Sequence, residues 1–214
     1  MVRRALDLFC GAGGASSGIE RAGYEVTGVD LGPQPSYPFD FIQADALSID
    51  PEWVSSFDFV WASPPCQFAT AYKRRTNHVK AAVNMIPQTR EFLSGLGVSF
   101  VIENVEGARD HLVDPVRLCG SSFGLDVRRH RLFEPHGFRI PELACRHQWQ
   151  TPRFPPATNR TNLRSTVEVG VWRIPLDIQH DAMGGCRWMS REELSQAIPP
   201  AYALHVALCA GGCR

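Results

Sequence analysis

Three short apolar runs each stop at a residue or turn with chemistry of its own, and this repetition constrains the fold more than any other feature of the chain. Ala5 to Phe9 runs into the glycine-rich turn Cys10-Gly11-Ala12-Gly13-Gly14. Phe57 to Ala62 runs into Ser63-Pro64-Pro65-Cys66-Gln67, and Ser99 to Ile102 into Glu103-Asn104-Val105. Between them lie a helical stretch from Gly14 to Ala22, a run from Tyr24 to Val29 closing on Asp30, and Phe39 to Ile42 before Gln43-Ala44-Asp45-Ala46. Strand-like runs alternating with helical stretches predict an α/β domain with a mostly parallel sheet covered on both faces. A turn, a thiol and a carboxyl group at strand ends then form an active-site layout.

The rest of the chain is less regular. A helix is expected from His78 to Leu96, kinked or divided by Pro87. Val116 to Cys119 and Arg131 to Phe133 read as strands with no full helix between them, which predicts a hairpin at the sheet edge. From Pro135 to Asp181 periodicity fails among prolines and two tryptophans, Trp149 and Trp172, and a small irregular lobe or long ordered loop is expected. Ser190-Arg191-Glu192-Glu193 has the form of a capping box opening a helix toward Ile198, and Tyr202 to Cys209 reads as the last helix. With 214 residues there is room for one buried core and a small appendage. The expected division is a core at 1–134, an irregular region at 135–181, and C-terminal helices at 182–214 that return to the core.

Apolar residues at 44% and charged residues at 21% exclude a disordered chain. No run reaches the roughly 20 apolar residues of a membrane span, and Asp7 with the early glycines interrupts any secretory signal. Seven irregularly spaced cysteines without an export signal point to reduced thiols and a cytoplasmic location. Cys145 and His147 have ligand spacing, but no second pair follows at that spacing, so no metal is expected. The net charge of zero conceals two basic stretches. Lys73, Arg74, Arg75, Lys80 and Arg90 meet no acid between 66 and 90, and eight arginines between 127 and 164 meet only Glu134 and Glu142. Such stretches suit a polyanion on one face, and suit solvated loops equally well.

Each motif has its own physical reading. Gly11, Ala12 and Gly13 after Phe9, with Asp30 downstream, fit a turn that admits a nucleoside cofactor and an acid that binds ribose hydroxyls. No Gly-Lys-Ser or Gly-Lys-Thr follows, so the cofactor need carry no phosphate; a dinucleotide for hydride transfer satisfies the same turn. Asp45 would share the sheet edge with Asp30 and accept from an adenine amino group, or else serve as a helix cap. Two prolines make the arm before Cys66 stiff, and the basic run or a following helix start would lower the thiol pKa. Glu103 in so apolar a run needs a partner or a raised pKa. Arg129 and Arg131 alternate as on a strand and would present one face to a phosphate or a base carbonyl.

Together these segments resemble the cytosine-C5 DNA methyltransferases, in their short phage-type form. The resemblance rests on Asp7 to Gly14, Gly28-Val29-Asp30, Gln43-Ala44-Asp45, Ser63 to Gln67, Glu103-Asn104-Val105 and Arg129-His130-Arg131 in order and spacing, and on Trp188 to Tyr202 at the end. It implies a Rossmann-like methyltransferase fold with S-adenosylmethionine as cofactor, S-adenosylhomocysteine as product and no metal. Phe9, Gly11, Ala12, Gly13, Asp30, Leu31, Asp45, Ala46, Pro64 and Gln196 would hold the cofactor. Cys66 would attack C6 of a cytosine rotated out of duplex DNA, Glu103 would serve N3, and Arg129 and Arg131 would assist. Gln67, Arg74, Arg75, Arg146, Arg153, Arg160 and Arg164 would contact DNA, the last four from the expected target-recognition region at 135–181. Restriction-modification with a cognate endonuclease as partner, and a monomeric state, stand only as candidates, because the sequence is silent on both.

The chain departs from the family pattern in having Val127 two residues before Arg129 where Gln is usual, Ser195-Gln196 in place of Gly-Asn, and a short recognition segment. Two alternatives accompany this reading: methylation of cytosine in tRNA, and a catalytically silent nucleic-acid-binding protein of the same fold.

Overall fold

A computed structural model describes residues 2–69, 83–151 and 164–212. Its centre is a seven-stranded sheet of β1 (Arg3–Leu8), β2 (Tyr24–Asp30), β3 (Asp40–Gln43), β4 (Phe59–Ala62), β5 (Ser99–Val105), β6 (Val116–Leu118) and β7 (Arg131–His136). The spatial order is β3-β2-β1-β4-β5-β7-β6. The first five strands are parallel, and β7 runs antiparallel to both β5 and β6. The hairpin foreseen at the edge is therefore present, with β7 rather than β6 joining it to the parallel strands. The result is a Rossmann-like, mostly parallel sheet with antiparallel β7 placed between β5 and β6.

Strand alternation divides the core into two layers. Ala5, Phe59, Trp61, Val101 and Phe133 point to the face covered by α1 (Gly14–Arg21) and α6 (Pro200–Ala210), against Ile19, Tyr202, Ala203 and Val206. Leu6, Leu8, Val60, Ile102 and Leu132 point to the other face, against Val54 of α2 (Pro51–Ser55) and Ile86 and Leu93 of α3 (Ile86–Ser94). Because β4 is covered on both sides, its four residues are all buried, which is why it reads as an unbroken apolar run. Burial of each large side chain contributes about 1.5–3 kcal/mol.

Several expected boundaries shift. The helix expected over 78–96 begins at Ile86, with Pro87 in its first turn, where a missing N–H costs nothing, so no kink follows. Residues 78–82 lie outside the described part. The region read as irregular contains α4 (Leu176–Ala182), and residues 150–151 and 164–165 form a two-stranded parallel pair, β8 and β9. Its described portion is tied to the core: Val167 N donates to Asp126 O, and Gln150 Nε2 donates to Leu125 O. Val167, Ile174, Ala182, Met183, Met189 and Leu194 make a third apolar cluster with Ala12 and Val127. The foreseen capping box at Ser190 and Glu193 opens α5 (Arg191–Gln196). Among the described residues no helix is long and apolar enough to cross a membrane.

Candidate active site

In a parallel sheet the carboxyl ends of all strands open on one edge. The register places Leu8 beside Val29 and Ala62, and Ala62 beside Ile102, so the residues that follow each of them meet there. A cavity of about 500 Å³ occupies this edge, and its wall includes Phe9, Gly11, Ala12, Asp30, Leu31, Asp45, Ala46, Pro64, Cys66, Gln67, Glu103, Arg131 and Gln196. Seven separate places in the sequence thus share one cavity, and of the expected cofactor residues all but Gly13 lie on its wall.

One end is built by the glycine turn. Gly11 and Gly13 have φ of 50° and 84°, and Phe9, without the freedom of glycine, also lies at 62°. Asp30 holds the turn: its Oδ2 accepts from Gly11 N at 3.0 Å, and its Oδ1 from Gly32 N at 3.2 Å. Trp188 Nε1 donates to Ala12 O at 2.8 Å, so the C-terminal region also fixes this loop. Asp45 is exposed and accepts from Leu47 N and Ser48 Oγ, a local turn-capping role on the cavity wall. Leu31, 73% exposed, offers an apolar surface at the same end.

Asp7 was part of the motif but not among the expected site residues. It is buried beneath the turn, hydrogen-bonded to Ser16 Oγ, which also meets Tyr37 Oη at 2.8 Å. Burial pushes its carboxyl up to about 7. Nothing in one sequence separates this Asp from any other polar residue late in a strand. Gln34 and Met85, also on the wall, carried no signal either, and Glu193 signalled only a helix cap.

The other end holds the thiol and the carboxyl. Ser63 N donates to Leu8 O, which anchors the arm to β1, and Asn104 Nδ2 donates to Pro64 O at 2.9 Å, which anchors it to β5. Ala69 N closes a turn onto Cys66 O at 2.9 Å. Glu103 lies inside β5, with two strand residues beyond it, and is 4% exposed. Its carboxyl is bonded to the Ser63 hydroxyl, while Arg131 Nε lies 3.3 Å from Oε1. That Oε1 is buried without a hydrogen bond: the guanidinium is near enough for attraction but not aligned to donate. Burial, partly offset by Arg131, Ser63 and Arg129, raises the Glu103 carboxyl above its usual range.

Two expectations are corrected here. The Cys66 thiol is raised, not lowered: burial and the negative Glu103 outweigh Arg131 and Arg129. Arg129 does not share a strand face with Arg131. It precedes β7 with φ of 35°, and its guanidinium turns to the carbonyls of Ala197 (2.9 Å) and Ser195 (2.6 Å). Burial and Arg131 lower it to about 9, so it remains a cation at neutral pH. It anchors the segment that carries Gln196 into the cavity.

Of the expected DNA contacts, Gln67 is exposed on the cavity rim. Arg146 is exposed and is not on the cavity wall, and its backbone N donates to Ser121 Oγ. Arg164 contributes its backbone to β9. Arg74, Arg75, Arg153 and Arg160 lie outside the described residues. The missing pair for Cys145 and His147 does exist in space: Cys119 and His130, at the two ends of the segment that joins β6 to β7, converge on them.

No family model and no curated protein matches the chain. Among solved structures, the Dnmt2 methyltransferase of S. pombe matches with a TM-score of 0.59 at 12% identity, covering 98% of each chain. The Entamoeba histolytica methyltransferase EhMeth gives 0.60, also at 12% identity and 98% of each chain. A prophage DNA modification methyltransferase of E. coli is 23% identical over 61% of this chain, with a TM-score of 0.46; the chain spans 45% of that protein's length. At these identities the full-length likenesses establish that the chain has the fold of the Rossmann-like methyltransferases.

Proposed function

We propose that the chain is an S-adenosylmethionine-dependent methyltransferase acting on C5 of cytosine in duplex DNA. The observation that carries the reading is that the Cys66 thiol and the Glu103 carboxyl, from adjacent parallel strands, line one cavity that continues to the Asp30 turn.

The cavity fits the cofactor. Its volume of about 500 Å³ is in the range of small-molecule sites. Gly11 leaves open space where a side chain would stand. Asp30 has lone pairs to spare for ribose hydroxyls, Asp45 supplies a second acceptor, and Leu31, Ala46 and Phe9 supply apolar surface. When bound, the cofactor supplies an electrophilic methyl group.

The chain's own groups would activate the base. The Cys66 thiolate adds to C6 as Glu103 delivers a proton or hydrogen bond to N3, and electron density moves to C5. Once C5 has been methylated, loss of its proton to a base and cleavage of the S–C6 bond restore aromaticity. The two raised pKa values support each other in this scheme. A protonated Glu103 is the form that can donate, and it no longer repels the thiolate. Arg131 and Arg129 both attract that thiolate. C6 is shielded in a stacked duplex, so the cytosine must leave the helix at a cost of a few kcal/mol.

The reading is tested by incubating the protein with labelled S-adenosylmethionine and either duplex DNA or tRNA, then sequencing bisulfite-treated product. Label at C5 of cytosine in DNA is expected. Label in tRNA alone would replace the substrate, and cofactor binding without transfer or a trapped adduct on 5-fluorocytosine DNA would leave only a binding protein.

A further inference from the structure

On the sheet edge remote in sequence from the glycine turn, four metal-ligating side chains converge. Cys119 follows β6, His130 precedes β7, and Cys145 and His147 lie on the segment after β7. One ligand atom from each lies within 4.8 Å of all the others. Cys119 Sγ is 3.1 Å from His147 Nε2, and Cys145 Sγ is 3.6 Å from His130 Nε2. Bond lengths of about 2.3 Å to sulfur and 2.1 Å to nitrogen at a tetrahedral angle give S···N edges of roughly 3.5 Å. Both thiols are free.

The surroundings are those of a ligand set as well. His130 Nδ1 is 3.2 Å from Glu106 Oε2, and a proton shared there leaves the Nε2 lone pair directed at the cluster. Ser121 Oγ lies 3.0 Å from Cys119 Sγ, placed to donate to a thiolate. The backbone is already drawn together around the site: Arg146 N donates to Ser121 Oγ at 3.0 Å, and Ser122 Oγ donates to Ala144 O at 2.9 Å. Cys119 is buried and the other three are half-buried, and none of the four lines the cavity.

We propose that Cys119, His130, Cys145 and His147 hold a structural zinc ion, with both cysteines bound as thiolates. Two thiolates and two neutral imidazoles balance the divalent charge, which suits a site flanked by Arg117 and Arg128, and binding releases two thiol protons. The ion joins three separated points of the chain. It fastens the segment after β7 to the sheet edge and fixes His130 between Arg129, which holds Ser195 and Ala197, and Arg131, which faces Glu103. The site stands independently of the proposed reaction.

The test is the metal content of the full-length protein after reconstitution with Zn2+ and gel filtration, and its absorption spectrum after reconstitution with Co2+. One zinc per chain is expected, with tetrahedral d–d bands and a thiolate-to-cobalt charge-transfer band. The paired substitutions Cys145→Ser and His147→Ala should remove at least nine-tenths of the bound metal, and Cys209→Ser should remove none. Three results would overturn the proposal: folded wild-type protein that retains no zinc, a cobalt spectrum without the charge-transfer band, or a Cys119–Cys145 disulfide in protein isolated under thiol-blocking conditions. The cobalt spectrum is read on the wild-type chain and decides the matter even if the doubly substituted chain does not fold.

Discussion

Asn104 Nδ2 donates to the carbonyl oxygen of Pro64 across 2.9 Å, and this bond ties the arm bearing Cys66 to the strand bearing Glu103. Proline at 65 gives the arm no donor of its own at that position, so it depends on a neighbour to set its height over the sheet. Asn104→Ala would leave a buried carbonyl unpaired at a cost of about 1–3 kcal/mol. The larger effect should be on rate: misplacing the thiol by an ångström costs on the order of 100-fold in kcat. Steady-state kinetics beside calorimetric titration with S-adenosylhomocysteine checks this. Cofactor affinity should hold while kcat falls, and Asn104→Asp, which sets an acceptor against an acceptor, should be worse than Ala.

Cys66 and Glu103 should separate cleanly in their effects. Cys66→Ser should abolish turnover and keep cofactor binding, since the thiol acts on the base. Glu103→Gln retains a hydrogen-bond donor for N3 but delivers no proton, and a loss on the order of 100-fold to 10,000-fold is expected. Because burial already disfavours the Glu103 charge, the neutral amide should leave the melting temperature unchanged or raise it. A large fall in stability with little change in rate would instead make Glu103 the structural partner of Arg131.

The elements legible in the sequence are those where one physical demand dominates. β4 is buried on both faces and so reads as Phe-Val-Trp-Ala without a polar break. The Ser190 to Glu193 box is a local exchange of hydrogen bonds and needs no tertiary context. α4 was hidden because its buried Gln179 looks polar, yet its amide is satisfied by the Val171 and Ile174 carbonyls and by Gly170 N. Arg129 misled because alternation assumes a strand, whereas its left-handed backbone turns the side chain toward Ser195. Cys119 and His130 gave no ligand spacing because β6 and β7 bring them together only after the hairpin forms. The pKa of Cys66 depends on how deeply Glu103 is buried, a quantity no spacing encodes.

Gly18 shows how closely the two helices on one face approach. A Cβ there would lie 2.1 Å from Pro200 O, 2.7 Å from Leu204 N and 2.8 Å from Ala203 Cβ, mostly backbone atoms that cannot swing aside. In an exposed helix Gly→Ala gains about 1 kcal/mol. Here overpacking of about 1–3 kcal/mol or more should exceed that gain. Urea unfolding of Gly18→Ala should give a lower midpoint than wild type. A higher midpoint would mean that α6 is free to move away from α1.

Asp7 sets a pH dependence with a definite sign. Its carboxyl rises from 3.8 to about 7 on folding, chiefly because burial disfavours the charge. Between those values the folded chain holds a proton that the unfolded chain has released. Its contribution is therefore complete below 3.8, is lost as pH climbs through about 7, and changes no further above that. Asp7→Asn keeps an acceptor for the Ser16 hydroxyl and has no proton to lose. Its stability relative to wild type should rise with pH across that interval, by at most about 1.4 kcal/mol per pH unit, and then level off. Denaturant unfolding of both chains at a series of pH values measures the difference directly. A constant difference would mean that Asp7 stays ionised beneath the turn, and that a partner outweighs its burial.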